Sequence, residues 1–453
     1  MTDYWAEHAC LPTGPADNVL LTEQDGRWTK IITGAEPGSA HRLPGVLFPG
    51  FANCHSHAFH RALRGRTHQP FDKLRTPLGQ GSAGGVENFW TWRTAMYEVA
   101  ARLDPDSYLR LARATYAEMA LSGITAVGEF HYLHHNPDGS PYTDPNAMAA
   151  ALRQAAAEAG IRLTLLDTCY LAGGLTGQGH QALSGPQLRF GDGDADAWAA
   201  RTSKLTPDDN TRIGAAIHSV RAVPRDQLHT VASAAADRPL HVHLSEQPAE
   251  NQACKDFYGM TPTALLAEAD ALGRRTTAVH ATHLEAADVA ELGRTRTTAC
   301  FCPSTEADLA DGIGPARALA DAGAPLSLGT DQHAMIDFFA EARALELHER
   351  LATGHRGRFI PAELIKAATA HDSIGWPDAG RLEVGSRADL VAVRTDSIRT
   401  AGAEPGQLIM AATASDVHTV ITGGMVVVDD HRHRLGDVGR LLADAIEPLW
   451  RQP

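Results

Sequence analysis

The chain has 453 residues, 43% hydrophobic and 21% charged, which is ordinary for a globular protein and enough for one large domain plus a smaller one. A net charge of −14 without a basic stripe argues against nucleic acid as a partner. No stretch approaches the ~18 to 20 uninterrupted apolar residues of a membrane span, and the acidic N-terminus lacks the marks of a signal peptide, so a cytoplasmic protein is expected. The six cysteines contain no Cys-x-x-Cys pair and lie mostly in or beside apolar runs, which predicts buried thiols and no disulfide framework.

Residues 1 to 46 hold short β-like pieces (Asn18 to Leu21, Lys30 to Ile32) separated by turn formers. The apolar run Leu47-Phe48-Pro49-Gly50 then leads into Phe51-Ala52-Asn53-Cys54-His55-Ser56-His57. In an extended chain, side chains two apart share a face, so His55 and His57 point the same way and can grip one metal ion. An aperiodic stretch rich in Gly, Pro, Arg and Gln follows over residues 61 to 88, ending in the aromatic anchor Phe89-Trp90-Thr91-Trp92-Arg93.

From there a rhythm sets in. A helix over Asp106 to Ser122, stopped by Gly123, precedes a strand over Ile124 to Phe130. An Ala-rich helix over Asn146 to Ala159, stopped by Gly160, precedes a strand over Arg162 to Cys169. After a Gly-rich excursion (Gly173 to Gly185) and an acidic helical segment come strands Ile213 to Ile217 and Leu240 to His243. Helices Pro262 to Leu272, Glu285 to Leu292 and Ala316 to Ala322 alternate with strands Thr277 to His280, Thr298 to Cys302 and Leu326 to Thr330. With the His-x-His strand this makes eight strands and mostly helical connections, an α/β pattern that predicts a closed (β/α)8 TIM-like barrel over residues 47–374. Past a helix near Ala362 to Thr369, short strands with glycine turns return (Ala388 to Val393, His418 to Ile421, Met425 to Val428). They are expected to join the N-terminal pieces in a small β-sandwich domain from residues 1–46 and 375–453.

Catalytic groups of such a barrel sit where strands end. That filter selects His55, His57, Tyr132, His218, Arg221, His243, Glu246, His280 and Asp331. Each has a bland alternative, a satisfied core histidine or a helix cap, but their joint placement on one rim points to a metal-dependent hydrolase.

The set His55-Ser56-His57, His243-Leu244-Ser245-Glu246, His280 and Gly329-Thr330-Asp331 resembles the amidohydrolase superfamily in its mononuclear deaminase branch, and Gly385 to Val391 is similar to that superfamily's returning β strand. The resemblance implies one Zn2+ on His55, His57, His243 and Asp331, with Glu246, His280 and Asp331 catalytic; Fe2+ or Mn2+ would also suit a His/Asp set. The segments His55 to Phe59, Phe89 to Arg93, Glu129 to Tyr132, His218 to Arg221 and Ser304 to Leu309 are similar to the formimidoylglutamate deiminase family. This implies hydrolysis of N-formimidoyl-L-glutamate in histidine degradation, with Arg93, Tyr132, His218 and Arg221 holding the carboxylates of a small dicarboxylate. The guanidinium fork suits carboxylates. His60 stands where that family has glutamine in the substrate site. The resemblance also suggests a homodimer. Two alternatives stay open: a deaminase of the same branch acting on a nucleobase or other amidine, and a non-catalytic scaffold with a structural metal.

Overall fold

A computed structural model describes residues 1–67 and 89–451. Residues 68–88, most of the aperiodic stretch noted above, lie outside the described residues. Eight parallel strands, β1 to β8 in chain order, form one sheet: Phe51–Ser56, Ile124–His131, Arg162–Cys169, Thr211–Ile217, Leu240–Leu244, Thr276–His280, Thr298–Phe301 and Leu326–Leu328. Each pairs with its sequence neighbours, and a parallel bridge between Ser56 and Asp331 brings the last strand back to the first. This is the expected (β/α)8 barrel. Its strands are buried almost throughout, because helices outside and packed side chains inside cover both faces; β2 and β3 are buried at every position.

The helices start and stop for local reasons. Pro105–Leu121 opens with Pro at its first turn and a capping box, in which Asp104 accepts from the Ser107 N–H and the Ser107 hydroxyl closes back. Ala147–Ala159 ends on Gly160, whose φ of 81° places it in the left-handed region that glycine adopts without strain. Among the described residues, five α-helices, Phe89–Arg102, Pro248–Tyr258, Pro303–Asp308, Phe338–Thr353 and Val438–Trp450, go beyond the sequence expectations. Among the described residues, no helix is long and apolar enough to cross a membrane.

Both chain ends build a second, mostly antiparallel sheet, the β-sandwich unit of the expected fold. Its order runs Arg432–His433, Met425–Asp429, Val417–Thr422, Leu390–Val393, Val46–Pro49, Thr2–Leu11, Gly14–Gln24, Arg27–Ile32. The central pair follows a period of two. Val46, Phe48, Val391 and Val393 face the core shared with the barrel, while Leu47, Leu390 and Ala392 face a second cluster around Trp28. The Leu47-Phe48-Pro49 run thus belongs to this sheet, and the barrel strand begins after Gly50. Arg162 at the foot of β3 forms a buried ion pair with Asp389, which also accepts from the Gly423 N–H at 2.8 Å, tying sheet to barrel.

Candidate active site

The ends of β1, β5, β6 and β8 converge. His57 places its Nδ1 2.8 Å from the Phe130 carbonyl, so that nitrogen must carry the proton and Nε2 keeps its lone pair for the barrel mouth. His55 and His57 each hold Nε2 3.4 Å from Asp331 Oδ1. His243 Nε2 lies 3.2 Å from His55 Nε2. The Nδ1 atoms of His55 and His243 are buried without a hydrogen-bond partner among the described residues. Burial, then neighbouring histidines, keeps all three imidazoles neutral: His57 is pushed down to about 3, and His55 and His243 lie well below their ordinary value. Three neutral imidazoles and a carboxylate aimed at one point are a ligand set for a divalent metal, and His55, His57 and His243 lie within mutual ligating distance.

Gly329 permits this approach. A Cβ there would sit 2.7 Å from that of His55 and 2.8 Å from its carbonyl oxygen. Ser245, His280 and Asp331 take φ of 52°, 69° and 42°. Non-glycine residues hold such angles only where the surroundings over-determine them, as functional sites do.

His280 stands beside the cluster among carboxylates. Its Nε2 is 3.7 Å from Glu246 Oε1 and 3.8 Å from Asp331 Oδ2, and its Nδ1 is 3.6 Å from Glu306 Oε1. Burial opposes a charge there, but Glu246, Glu306 and Asp331 raise the imidazole well above its ordinary value. Glu246 Oε2 accepts from Arg221 at 3.1 Å, and Glu250 Oε2 lies 3.6 Å from Arg221 Nε.

The substrate-side residues named from sequence line two joined spaces. The inner one reaches His57, His243, Glu246, His280 and Asp331; the outer, about 260 Å³, is walled by the hairpin Gly174–Thr176 and Gly179–Gln181 and reaches Glu250. Arg93, Tyr170, His218 and Arg221 border both. Arg93 donates to the Tyr170 hydroxyl at 3.2 Å and lies over the Tyr97 ring. His60 and Tyr132 share a 3.0 Å hydrogen bond at the inner wall, and His60 lies within ligating distance of His57 and Asp331. All eleven residues named from sequence therefore meet at one mouth. Tyr170 and Glu250 were missed. The strand-end rule applied to β3 would have found Tyr170, whereas Glu250 sits on the unforeseen helix Pro248–Tyr258. The Gly-rich excursion, which had no reading, supplies the outer wall.

His131, His134 and Asp167 also lie within mutual ligating distance. There, however, Arg201 donates to both Asp167 oxygens (2.9 and 2.8 Å) and the Trp198 indole donates to Oδ1 at 3.0 Å. The guanidinium occupies the place of a cation, and the cluster is a buried ion pair.

Comparison with known proteins agrees with this geometry. Residues 46–427 match the amidohydrolase family. The chain is 37% identical over 451 residues to the formimidoylglutamate deiminase of Pseudomonas aeruginosa, covering 96% of each chain. It is 28% identical to the 8-oxoguanine deaminase of the same organism, over 93% of this chain and 92% of that one. An amidohydrolase from Brucella melitensis superposes with a TM-score of 0.89 at 31% identity over the full length of both chains. A parallel barrel whose mouth gathers three histidines, an aspartate and a glutamate–histidine pair, matched along nearly its whole length, belongs to the amidohydrolase family, as a hydrolase acting on a carbon–nitrogen bond.

Proposed function

We propose that this protein hydrolyses N-formimidoyl-L-glutamate to N-formyl-L-glutamate and ammonia, as an amidohydrolase-type deaminase of histidine degradation, and that it works in the cytoplasm as a homodimer on a small dicarboxylate. The observation that carries the substrate is the pair Arg93 and Arg221 with His218 at the join of the two spaces, one step outward from the ligand cluster. An amidine at the cluster would place a glutamate's carboxylates against those cations, and identity to the P. aeruginosa deiminase supports the same choice.

His55, His57, His243 and Asp331 would hold one divalent ion, zinc by the chemistry of the donors. Such an ion supplies Lewis acidity and a nucleophilic water at neutral pH. The chain's own groups do the rest. Asp331 accepts the water's proton as it attacks the formimidoyl carbon. His280, charged between carboxylates, steadies the negative charge that develops on the incoming oxygen. Glu246, as a carboxylate, holds the cationic amidine, and the proton given up by the water returns from Asp331 through Glu246 to the nitrogen that leaves as ammonia. Water adds across C=N, the C–N bond to the terminal nitrogen breaks, and the formyl C=O remains.

Ammonia release from zinc-loaded protein, measured on N-formimidoyl-L-glutamate beside guanine, cytosine and adenosine, tests the proposal. Rapid release from the first alone is expected. Arg93→Ala should raise KM for it roughly 10- to 100-fold, the ~1.5 to 3 kcal/mol of a charged hydrogen bond. Arg221→Ala is a poorer probe, because it also strips Glu246 and Glu250 of their partner. Stripping the metal with a chelator should abolish release and lower the melting temperature, and zinc should restore both; activity that survives complete removal would refute the ligand assignment.

One observation favours the nucleobase reading: Trp92, Tyr97, Tyr132, Tyr170 and Phe190 also line the inner space, and flat rings stack on such walls. Release from a nucleobase alone would keep the barrel and its ligands and replace the substrate.

A further inference from the structure

Beneath the ligand cluster runs a line of buried polar groups to which the reaction assigns nothing: Asn53, Thr330, His333, Ser56 and Glu129. It threads between the ligands, since Ser56 separates His55 from His57 while Thr330 and His333 flank Asp331.

Backbone amides fix the direction of its hydrogen bonds at both ends. The Thr330 N–H donates to Asn53 Oδ1 at 3.0 Å, which orients the Asn53 amide, so Asn53 Nδ2 donates to Thr330 Oγ1 at 2.7 Å. The Thr330 hydroxyl then has one acceptor among the described residues, His333 Nδ1 at 2.9 Å. His333 therefore carries its proton on Nε2, which faces Ser56 Oγ at 3.3 Å. The Ser56 hydroxyl in turn donates to Glu129 Oε2 at 2.6 Å. At the far end the Ala58 N–H donates to Glu129 Oε1, also at 2.6 Å. Both oxygens of Glu129 thus accept, one from a side chain and one from the backbone.

The opposite polarity fails. A neutral Glu129 donating to Ser56 would turn the line around and leave the Thr330 hydroxyl hydrogen, buried, without an acceptor, a cost of about 1 to 3 kcal/mol. Burial holds the Glu129 carboxyl up at about 8 even though hydrogen bonds from Ser56, Ala58, Tyr116 and Tyr108 pull it down. Glu129 and the next residue, Phe130, thus hold three consecutive positions of the first ligand strand: Ser56 by its hydroxyl, His57 by its ring and Ala58 by its backbone.

We infer that Glu129 is the buried terminal acceptor of this one-way relay, a positioning residue that sets the aim of His57 and, through His333 and Thr330, of Asp331. The inference rests on the ligand assignment above and is independent of the substrate.

Glu129→Gln tests it, since the isostere offers one acceptor and one donor where two acceptors are needed. Zinc affinity measured by chelator competition should fall 10- to 100-fold, the loss typical when a group supporting metal ligands is removed. In 15N-histidine-labelled protein, the His333 ring signals (assigned by their loss in His333→Gln) should show the Nε2–H tautomer in the wild type and change in Glu129→Gln. A merely structural role would move the melting temperature and leave that tautomer alone. Zinc affinity within twofold of wild type with unchanged His333 signals would overturn the inference. Wild-type protein that binds no zinc would overturn the ligand assignment and the inference with it, and is a separate observation. Should Glu129→Gln fail to fold, Ser56→Ala cuts the line one link earlier and is expected to show the same two changes; an unchanged tautomer and affinity there overturns the relay equally.

Discussion

Glu246→Gln is expected to keep its metal and lose about 10³-fold in kcat. The glutamate contributes no donor to the convergent point of His55, His57, His243 and Asp331, so metal content should stay at the wild-type level. Its two oxygens instead face Arg221 at 3.1 Å and His280 at 3.7 Å, and in the proposed reaction it serves the departing nitrogen. Glutamine preserves shape and can still accept from Arg221, but it cannot deliver a proton. Loss of a positioned general acid costs typically 10² to 10⁴ in rate, about 3 to 5 kcal/mol of barrier. Steady-state ammonia release beside metal analysis of the same sample decides the matter. Near-wild-type turnover would remove Glu246 from the proton path, and a variant that arrives without metal would make it a ligand.

The largest stability effect is expected far from the chemistry, at Asp167. Asp167→Ala should cost about 3 to 5 kcal/mol in urea unfolding, because it strands the buried Arg201 guanidinium with Asp192 as its remaining charged partner. Burial pushes the Asp167 carboxyl up, but Arg201 and its hydrogen bonds bring it below its ordinary value of 3.8. With the folded value depressed, the pair's contribution is present above about pH 3.8 and fades only as pH falls through the lower folded value. The contrast is Asp208→Ala, whose partner Arg153 sits at 2.6 Å on the surface; that loss should stay under about 1 kcal/mol. Equal costs at the two positions would mean that burial does not govern these pairs.

The sequence was most legible where a local period and a chemical type coincide. The barrel strands could be found because most are short, largely uncharged runs alternating with Gly-stopped or capped helices, and the site because its histidines and acids stand at their ends. Gly329 was legible only as part of a motif; its need, the approach of the His55 side chain, is a contact across 274 residues and leaves no local signal. The Leu47 to Pro49 run reads as the start of the barrel strand, yet pairs with residues 390–393, since apolar content says that a strand is buried and not against what. Helix Pro248–Tyr258 is polar on most of its surface, with Glu250 and Cys254 as its buried positions, so its apolar stripe is too thin to detect. The polarity of the Asn53 to Glu129 line depends on which amide proton meets which oxygen, information that exists only in the fold.

The pairing of Val46–Pro49 with Leu390–Val393 also dictates when parts of this protein can fold during synthesis. The N-terminal strands through Val46–Pro49 can form a sheet on their own as they leave the ribosome, but the free edge of Val46–Pro49 waits for a partner made more than 300 residues later. At a translation rate of 5 to 20 residues per second, that edge stays open for roughly 20 to 70 seconds. An apolar strand edge left open so long is an invitation to pair with another nascent chain. For this fold, the yield of soluble protein should therefore respond to growth temperature and chaperone supply more steeply than its finished stability would suggest, and a circular permutant that makes residues 390–428 first would close the edge early.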